Sequence, residues 1–172
     1  MALTVGTDTY ISQADATTYV GDNYASTSDE YVAWAALSSD DKDAWLRKAL
    51  KVLDRQPYIG IKAEDTQTLE FPRAIRSESK REDLPTLHLT RFNSDWVVQT
   101  EVPQVVKDAQ VEEAISLTVG VSKRIELQRQ GVKSFRLGNL SESYGGTPAT
   151  RITSFEAREL LKPYLAGVVP IS

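Results

Sequence analysis

Between Asp40 and Arg55 the apolar positions Trp45, Leu46, Ala49, Leu50 and Leu53 return every three or four residues. That spacing sets them on one face of a helix, with Lys42, Asp43, Arg47, Lys48, Lys51 and Asp54 mostly on the other. Ser38 or Ser39 caps its start, Asp40 and Asp41 lie in its first turn, and Pro57 ends it. Three further segments carry helical spacing. The first opens at Ser12, where Ser12-Gln13-Ala14-Asp15 resembles a capping box with the acid shortened, and continues through Ala16, Tyr19 and Val20. The second, Asp29 to Leu37, is short and breaks at Ser38-Ser39. The third starts near Pro103 and is expected to run to about Arg129 before Gly131, with Val106, Ala109, Ala114, Leu117, Val121 and Ile125 inward. Gly120 is its weak point, costing about 1 kcal/mol relative to Ala.

The period then changes. Phe135 and Leu137 alternate with Ser134 and Arg136, and Gly138-Asn139 separates them from Leu140 to Tyr144, a β-hairpin pattern. After the glycine-rich joint at 145–148, Thr153-Ser154-Phe155-Glu156 reads as a capping box for a last helix carrying Leu160, Leu161 and Leu165. From Tyr58 to Arg73 the pattern is extended rather than helical. Ala74 to Glu101 is irregular and polar, and it reads as a projecting insertion. The expected fold is mainly α: a small bundle of three to four helices with an appended β-hairpin and extended arms. It forms one domain over 1–172, with an insertion at 74–101 and an extended tail at 166–172.

Composition narrows the chemistry. The 172 residues suffice for one buried core, and 41% hydrophobic with 26% charged residues is ordinary for a folded protein. No cysteine is present, which excludes disulfides, thiolate nucleophiles and cysteine metal sites. His88 is the single histidine, so two-histidine zinc sites are excluded as well. No cofactor is expected. Walker, G-x-G-x-x-G, G-x-S-x-G and H-E-x-x-H patterns are all missing, and an enzyme is not expected. The carboxylate groups Asp40-Asp41-Asp43 and Glu112-Glu113 read as structural. The former complements a helix dipole, and the latter diverges around a helix axis into solvent. The beginning of the chain lacks a basic cap and apolar run, and no apolar stretch approaches membrane-spanning length, so cytosol-like surroundings and no membrane contact are expected.

The net charge of −4 is dispersed along the chain. Arg73, Arg76, Lys80, Arg81 and Arg91, near Phe71, Phe92 and Trp96, come nearest to the basic and aromatic mixture of a single-strand binder. Glu78, Glu82 and Asp83 dilute them.

Three segments in order resemble the head-tail connector (adaptor) proteins of long-tailed bacteriophages. The first is Leu53-Asp54 with Gly60 and Gln67-Thr68-Leu69-Glu70-Phe71-Pro72-Arg73. The second is the Pro103-started helix with Val106, Ala109 and Ala114. The third runs from Gly131-Val132-Lys133-Ser134 through Gly138 to Tyr144 and on to Leu160-Leu161-Lys162-Pro163-Tyr164-Leu165. Some relatives in that group carry the label of a DnaT-like single-strand-binding protein, which supplies the competing reading, a replication accessory protein. The connector resemblance implies a virion protein of the phage neck. Its subunits would form a ring, expected to be twelve-fold, below the portal protein. Double-stranded DNA would pass through the ring without sequence-specific binding, and a stopper or tail-completion protein would dock on its far side. On that reading Leu161, Tyr164, Leu165, Val168, Val169, Pro170 and Ile171 would contact the portal. Phe135, Leu137, Leu140, Tyr144 and Trp96 would contact the neighbouring subunit. For the hairpin and the tail, packing within the monomer is the open alternative.

Overall fold

The computed structural model describes residues 3–76, 96–120 and 152–166, together with the backbone of two strands at 134–137 and 140–143. Among these residues the chain forms helices α1 (Gln13–Asn23), α2 (Asp29–Ala35), α3 (Ser39–Leu53), α4 (Gln104–Val119) and α5 (Phe155–Leu161). The strands are β1 (Ile61–Lys62), β2 (Arg73–Arg76), β3 (Trp96–Val98), β4 (Ser134–Leu137) and β5 (Leu140–Ser143). The fold is mainly α with a β-hairpin, as the periodicity predicts, and has one described helix more than the three to four expected.

Serine starts four of the helices. Ser12 Oγ accepts from the Asp15 amide at 3.1 Å and donates to the Asp15 carboxylate at 2.7 Å, so the shortened acid closes the box. Ser38 repeats the arrangement on Asp41, and Ser28 accepts from the Tyr31 amide. Each such cap contributes about 1 kcal/mol. At α5 the frame differs from the expected one: Ser154, not Thr153, is the cap and accepts from the Ala157 amide. The Thr153 amide is instead taken by Glu113 of α4.

Helix α4 is the axis of the bundle, packing on α1, α2, α3 and α5. Ala109, Gln110, Val111, Glu112, Glu113, Ala114 and Ile115 are all buried, and seven consecutive positions cover every side of a helix. Pro103 sits just outside its first turn as the cap residue. The single helix expected to reach Arg129 ends at Val119, because Gly120 adopts φ +97°, ψ 145° and turns the chain out of the helix. The 16 residues of α4 span about 24 Å. Positions 121–133 lie outside the described residues.

Two apolar clusters share α3 and α4. One gathers Tyr10, Leu50, Leu53, Phe71, Val106 and Leu161. The other gathers Ile11, Val20, Trp34, Leu46, Val111 and Ile115. Burying each large side chain contributes about 1.5–3 kcal/mol. Polar groups enclosed with them are bonded: the Gln110 amide group donates to Thr9 Oγ1 and Leu46 O at 2.9 Å each and accepts from the Tyr10 amide at 2.8 Å. Among the described residues no buried side-chain nitrogen or oxygen lacks a partner.

The small sheet has the order β1-β2-β3, antiparallel throughout, with Ile61 opposite Ala74, and Ala74, Ile75 and Arg76 opposite Val98, Val97 and Trp96. The segment expected as a projecting insertion, 74–101, is anchored at both ends in this sheet. Its two ends are paired as strands, Ala74 is fully buried, and only 77–95, outside the described residues, are left for any projection. Residues 164–166 run along 57–59, with the Ile59 amide donating to Tyr164 O and the Ala166 amide to Pro57 O, both at 2.8 Å. In the hairpin, Leu137 pairs with Leu140 and Ser134 with Ser143, the register a Gly138-Asn139 turn requires. That turn, like the joint at 145–148, lies outside the described residues.

Candidate nucleic-acid interface

The basic run expected from the sequence is divided by the fold. Arg73 is only 5% exposed, and its guanidinium is spent on its own chain. Nε donates to Ile59 O at 2.9 Å, and one terminal nitrogen donates to Gly60 O at 2.9 Å. The other donates to Glu70 O and to the Glu70 carboxylate, the latter at 2.6 Å. Phe71 is buried as well, with Tyr10, Tyr58 and Tyr164 edge-on around its ring. The Gln67 side chain binds Leu69 O and Pro72 O. The Gln67–Arg73 segment is therefore a structural clasp, and neither its arginine nor its aromatic ring reaches a ligand. Arg76 is exposed at the end of β2. Lys80, Arg81, His88, Arg91 and Phe92 lie outside the described residues.

A different set of cations converges. Arg47 and Lys51, one turn apart on α3, and Arg55, just past its end, line a groove of about 400 Å³. Leu50 and Leu69 lie in it, and Thr7, Thr68, Asp8 and Asp54 complete its lining. Leu50 and Leu69 are buried, so the floor is fixed by the core, while Lys51 and Arg55 are exposed at the rim. Asp54 is the groove's anchored carboxylate: Tyr10 Oη donates to it at 2.5 Å and accepts from the Phe71 amide at 3.2 Å. Burial pushes the Asp54 carboxyl above the usual range, with Tyr10's hydrogen bond acting against that, and burial beside Asp54 drives the Tyr10 phenol up. Three cations thus face one titratable carboxylate already engaged from below and one, Asp8, at the edge. Among the described residues no aromatic side chain lines this groove, so it suits a polyanion's backbone rather than stacked bases.

By sequence alone, Arg47 and Lys51 read as an ordinary solvated face. The signal that finds them is like charge at i and i+4, which destabilises an isolated helix slightly. Convergence with Thr7 and Thr68 from distant segments is invisible to any local pattern.

The paired acids of α4 are also placed differently from expectation. Glu112 and Glu113 do diverge around the axis, but into protein rather than solvent. Glu112 accepts from Tyr19 Oη at 2.8 Å and Tyr24 Oη at 2.6 Å. Glu113 accepts from the Thr153 and Ser154 amides, each at 2.8 Å. Their structural role holds and their solvation does not. Burial and the Glu112 bond push both phenols upward.

Of the residues expected at interfaces, Leu161 is fully buried in the first cluster, with Tyr164 and Leu165 half-buried against it. Leu161 is thus a core residue, because α5 turns that side onto α4. Val168, Val169, Pro170, Ile171 and Tyr144 lie outside the described residues. Phe135, Leu137 and Leu140 are placed by backbone, in β4 and β5. Trp96 is half-buried in β3. No group of three or more metal-ligating side chains forms among the described residues, and no described helix is long and apolar enough to cross a membrane.

A helical protein with a cation-lined surface groove is what the described residues define. Residues 1–171 match the family described as "Putative DnaT-like ssDNA binding protein", and the chain belongs to that family. No curated protein matches it, and no solved structure does. The family is the one behind the competing reading of the sequence; the match does not extend to a head-tail connector identity.

Proposed function

We propose that this chain is a non-enzymatic accessory protein that holds the backbone of single-stranded DNA along the α3 groove. The observation that carries the reading is the convergence of Arg47, Lys51 and Arg55 over the Leu50–Leu69 floor, in a chain of a family described by single-strand binding. Arginine forks and a lysine point charge would pair with phosphates, while Thr7 and Thr68 offer hydroxyl donors. With no ring described in the groove, binding is indifferent to base identity. An overall charge of −4 keeps it weak and dependent on salt. Anisotropy of a labelled oligothymidine measured across salt concentrations tests this. Three phosphate contacts give a slope of log K against log salt of about −2. Absence of saturable binding at low salt sinks the reading, as does a triple alanine variant at Arg47, Lys51 and Arg55 that binds like the parent.

A second reading is favoured by another observation, the exposed apolar pair Phe155 at 68% and Val119 at 49%, which line one cleft between α4 and α5. Such surfaces suit a subunit covered by other chains. It would be a virion protein of the phage neck, ringed below the portal, with a stopper or tail-completion protein beneath and double-stranded DNA passing through. Imaging isolated necks for this chain's helices between portal and tail decides it, and an empty position there ends it.

A further inference from the structure

Of the apolar stripe along α3, the fold buries Leu46, Ala49, Leu50 and Leu53. Trp45 lies at the stripe's edge and is only half-buried, against the second apolar cluster. One face of its ring lies under Lys48, an exposed residue one turn on, with the ammonium 4.4 Å from the ring centre. A cation over an aromatic face at an exposed site is held weakly, so this face can open to a flat ligand. Asp8 and Asp54 stand among the groove's cations, and neither Trp45 nor Lys48 lines that groove. Lys48 instead continues its rim: Lys48, Lys51 and Arg55 recur at spacings of three and four residues and form one row along α3, with Trp45 at its head. The row is about 15 Å long from Trp45 to Arg55. Asp41, one turn before Trp45, is engaged by Ser38 Oγ at the helix start.

The groove accounts for the phosphates of a bound strand and leaves its bases without a partner. Sites for single strands combine a cationic track with aromatic rings on which bases stack. We propose that Trp45 is the stacking platform for a base of the strand held along α3, and that Lys48 leaves the ring and pairs with the adjoining phosphate. This role rests on the groove reading and adds the part of the DNA that the groove does not touch. In the exchange the indole face trades an ammonium for a base. Lys48 trades a ring face for a full negative charge, the stronger partner. Every base has a π-face, so the added affinity does not select a sequence.

Two labelled strands of equal length test it with the full chain: oligothymidine, and an abasic deoxyribose-phosphate strand that has the phosphates without the bases. The parent binds oligothymidine about tenfold more tightly than the abasic strand, and its tryptophan fluorescence is quenched as it does so. Trp45→Leu keeps an apolar side chain against the second cluster and removes the ring. It binds both strands at the abasic level, while Trp45→Phe recovers most of the difference. Lys48's added contact steepens the salt slope from about −2 to about −3, and Lys48→Ala returns it. Circular dichroism checks that the variants fold, and the parent's preference between the strands is read without any variant. A parent that binds both strands equally overturns the role of Trp45 and leaves the groove standing. So does a folded Trp45→Leu that keeps the preference for oligothymidine, or one that loses affinity equally for both strands. A parent that binds neither strand defeats the groove reading, and the platform with it.

Discussion

The Gln67–Arg73 clasp and the α3 groove each place arginine next to apolar residues, yet only the groove can hold a ligand. In the clasp, the carbonyls of Ile59 and Gly60 and the Glu70 carboxylate surround Arg73 at hydrogen-bond distance, and the guanidinium satisfies them. Along α3 the helix has already paired its own carbonyls, so Lys51 and Arg55 extend to solvent over a floor they do not enter. The density of positive charge in the sequence is the same in both places, four cations in nine positions at 47–55 and at 73–81. Availability is set instead by how many backbone acceptors the fold leaves nearby.

Arg73 carries the largest expected effect. Arg73→Ala orphans two or more buried carbonyls and the Glu70 carboxylate, and is expected to cost about 3–5 kcal/mol in urea unfolding. The salt slope of DNA binding should not change in whatever fraction stays folded. Arg73→Lys recovers little, since one ammonium cannot span the same acceptors. Next in size, Gly60→Ala drives a Cβ into Ala74 O at a backbone angle of φ +75°. A loss of about 2–4 kcal/mol is expected, and an unchanged melting temperature would show that the β1–β2 contact yields. Tyr24→Phe removes one of the two phenol donors to Glu112. It should cost about 1 kcal/mol, measurable by the same unfolding experiment.

The groove gives the smallest stability effects and the clearest functional ones. Alanine at Lys51 and at Arg55 should each stay within about 0.5 kcal/mol of the parent, and alanine at Arg47, Lys51 and Arg55 together should flatten the salt slope of DNA binding. Asp54 links groove and core through pH. Its carboxyl is raised above the ordinary value of 3.8, so the folded state holds that proton more tightly than the unfolded chain. Its contribution to stability is therefore greatest below pH 3.8 and declines as pH rises through the raised folded value. Asp54→Asn should remove that decline, seen as a flatter dependence of urea midpoint on pH from about 4 upward. A parallel pH dependence in variant and parent would assign it to other groups.

Much of the helical layout is legible in the sequence because its causes are local. The Ser12 and Ser38 boxes, the α3 stripe and the weakness at Gly120 each depend on residues within a few positions. The hairpin alternation is likewise readable from its period. Departures from expectation have distant causes. Glu113 takes the Thr153 amide and shifts the α5 cap by one residue from 40 positions away. Leu161 looks like any apolar residue of a final helix until α5 meets α4. The ends of the expected insertion pair with each other across 77–95, a register no local pattern states.

The sequence by itself determined where α1 and α3 start, which α3 face is apolar, and that thiol and two-histidine chemistry are absent, since these follow from backbone geometry and composition. Only the tertiary structure decided which charges are spent and which are offered. A guanidinium or carboxylate takes whatever partner the packing brings within about 3 Å, and that distance is set by segments far apart in the chain.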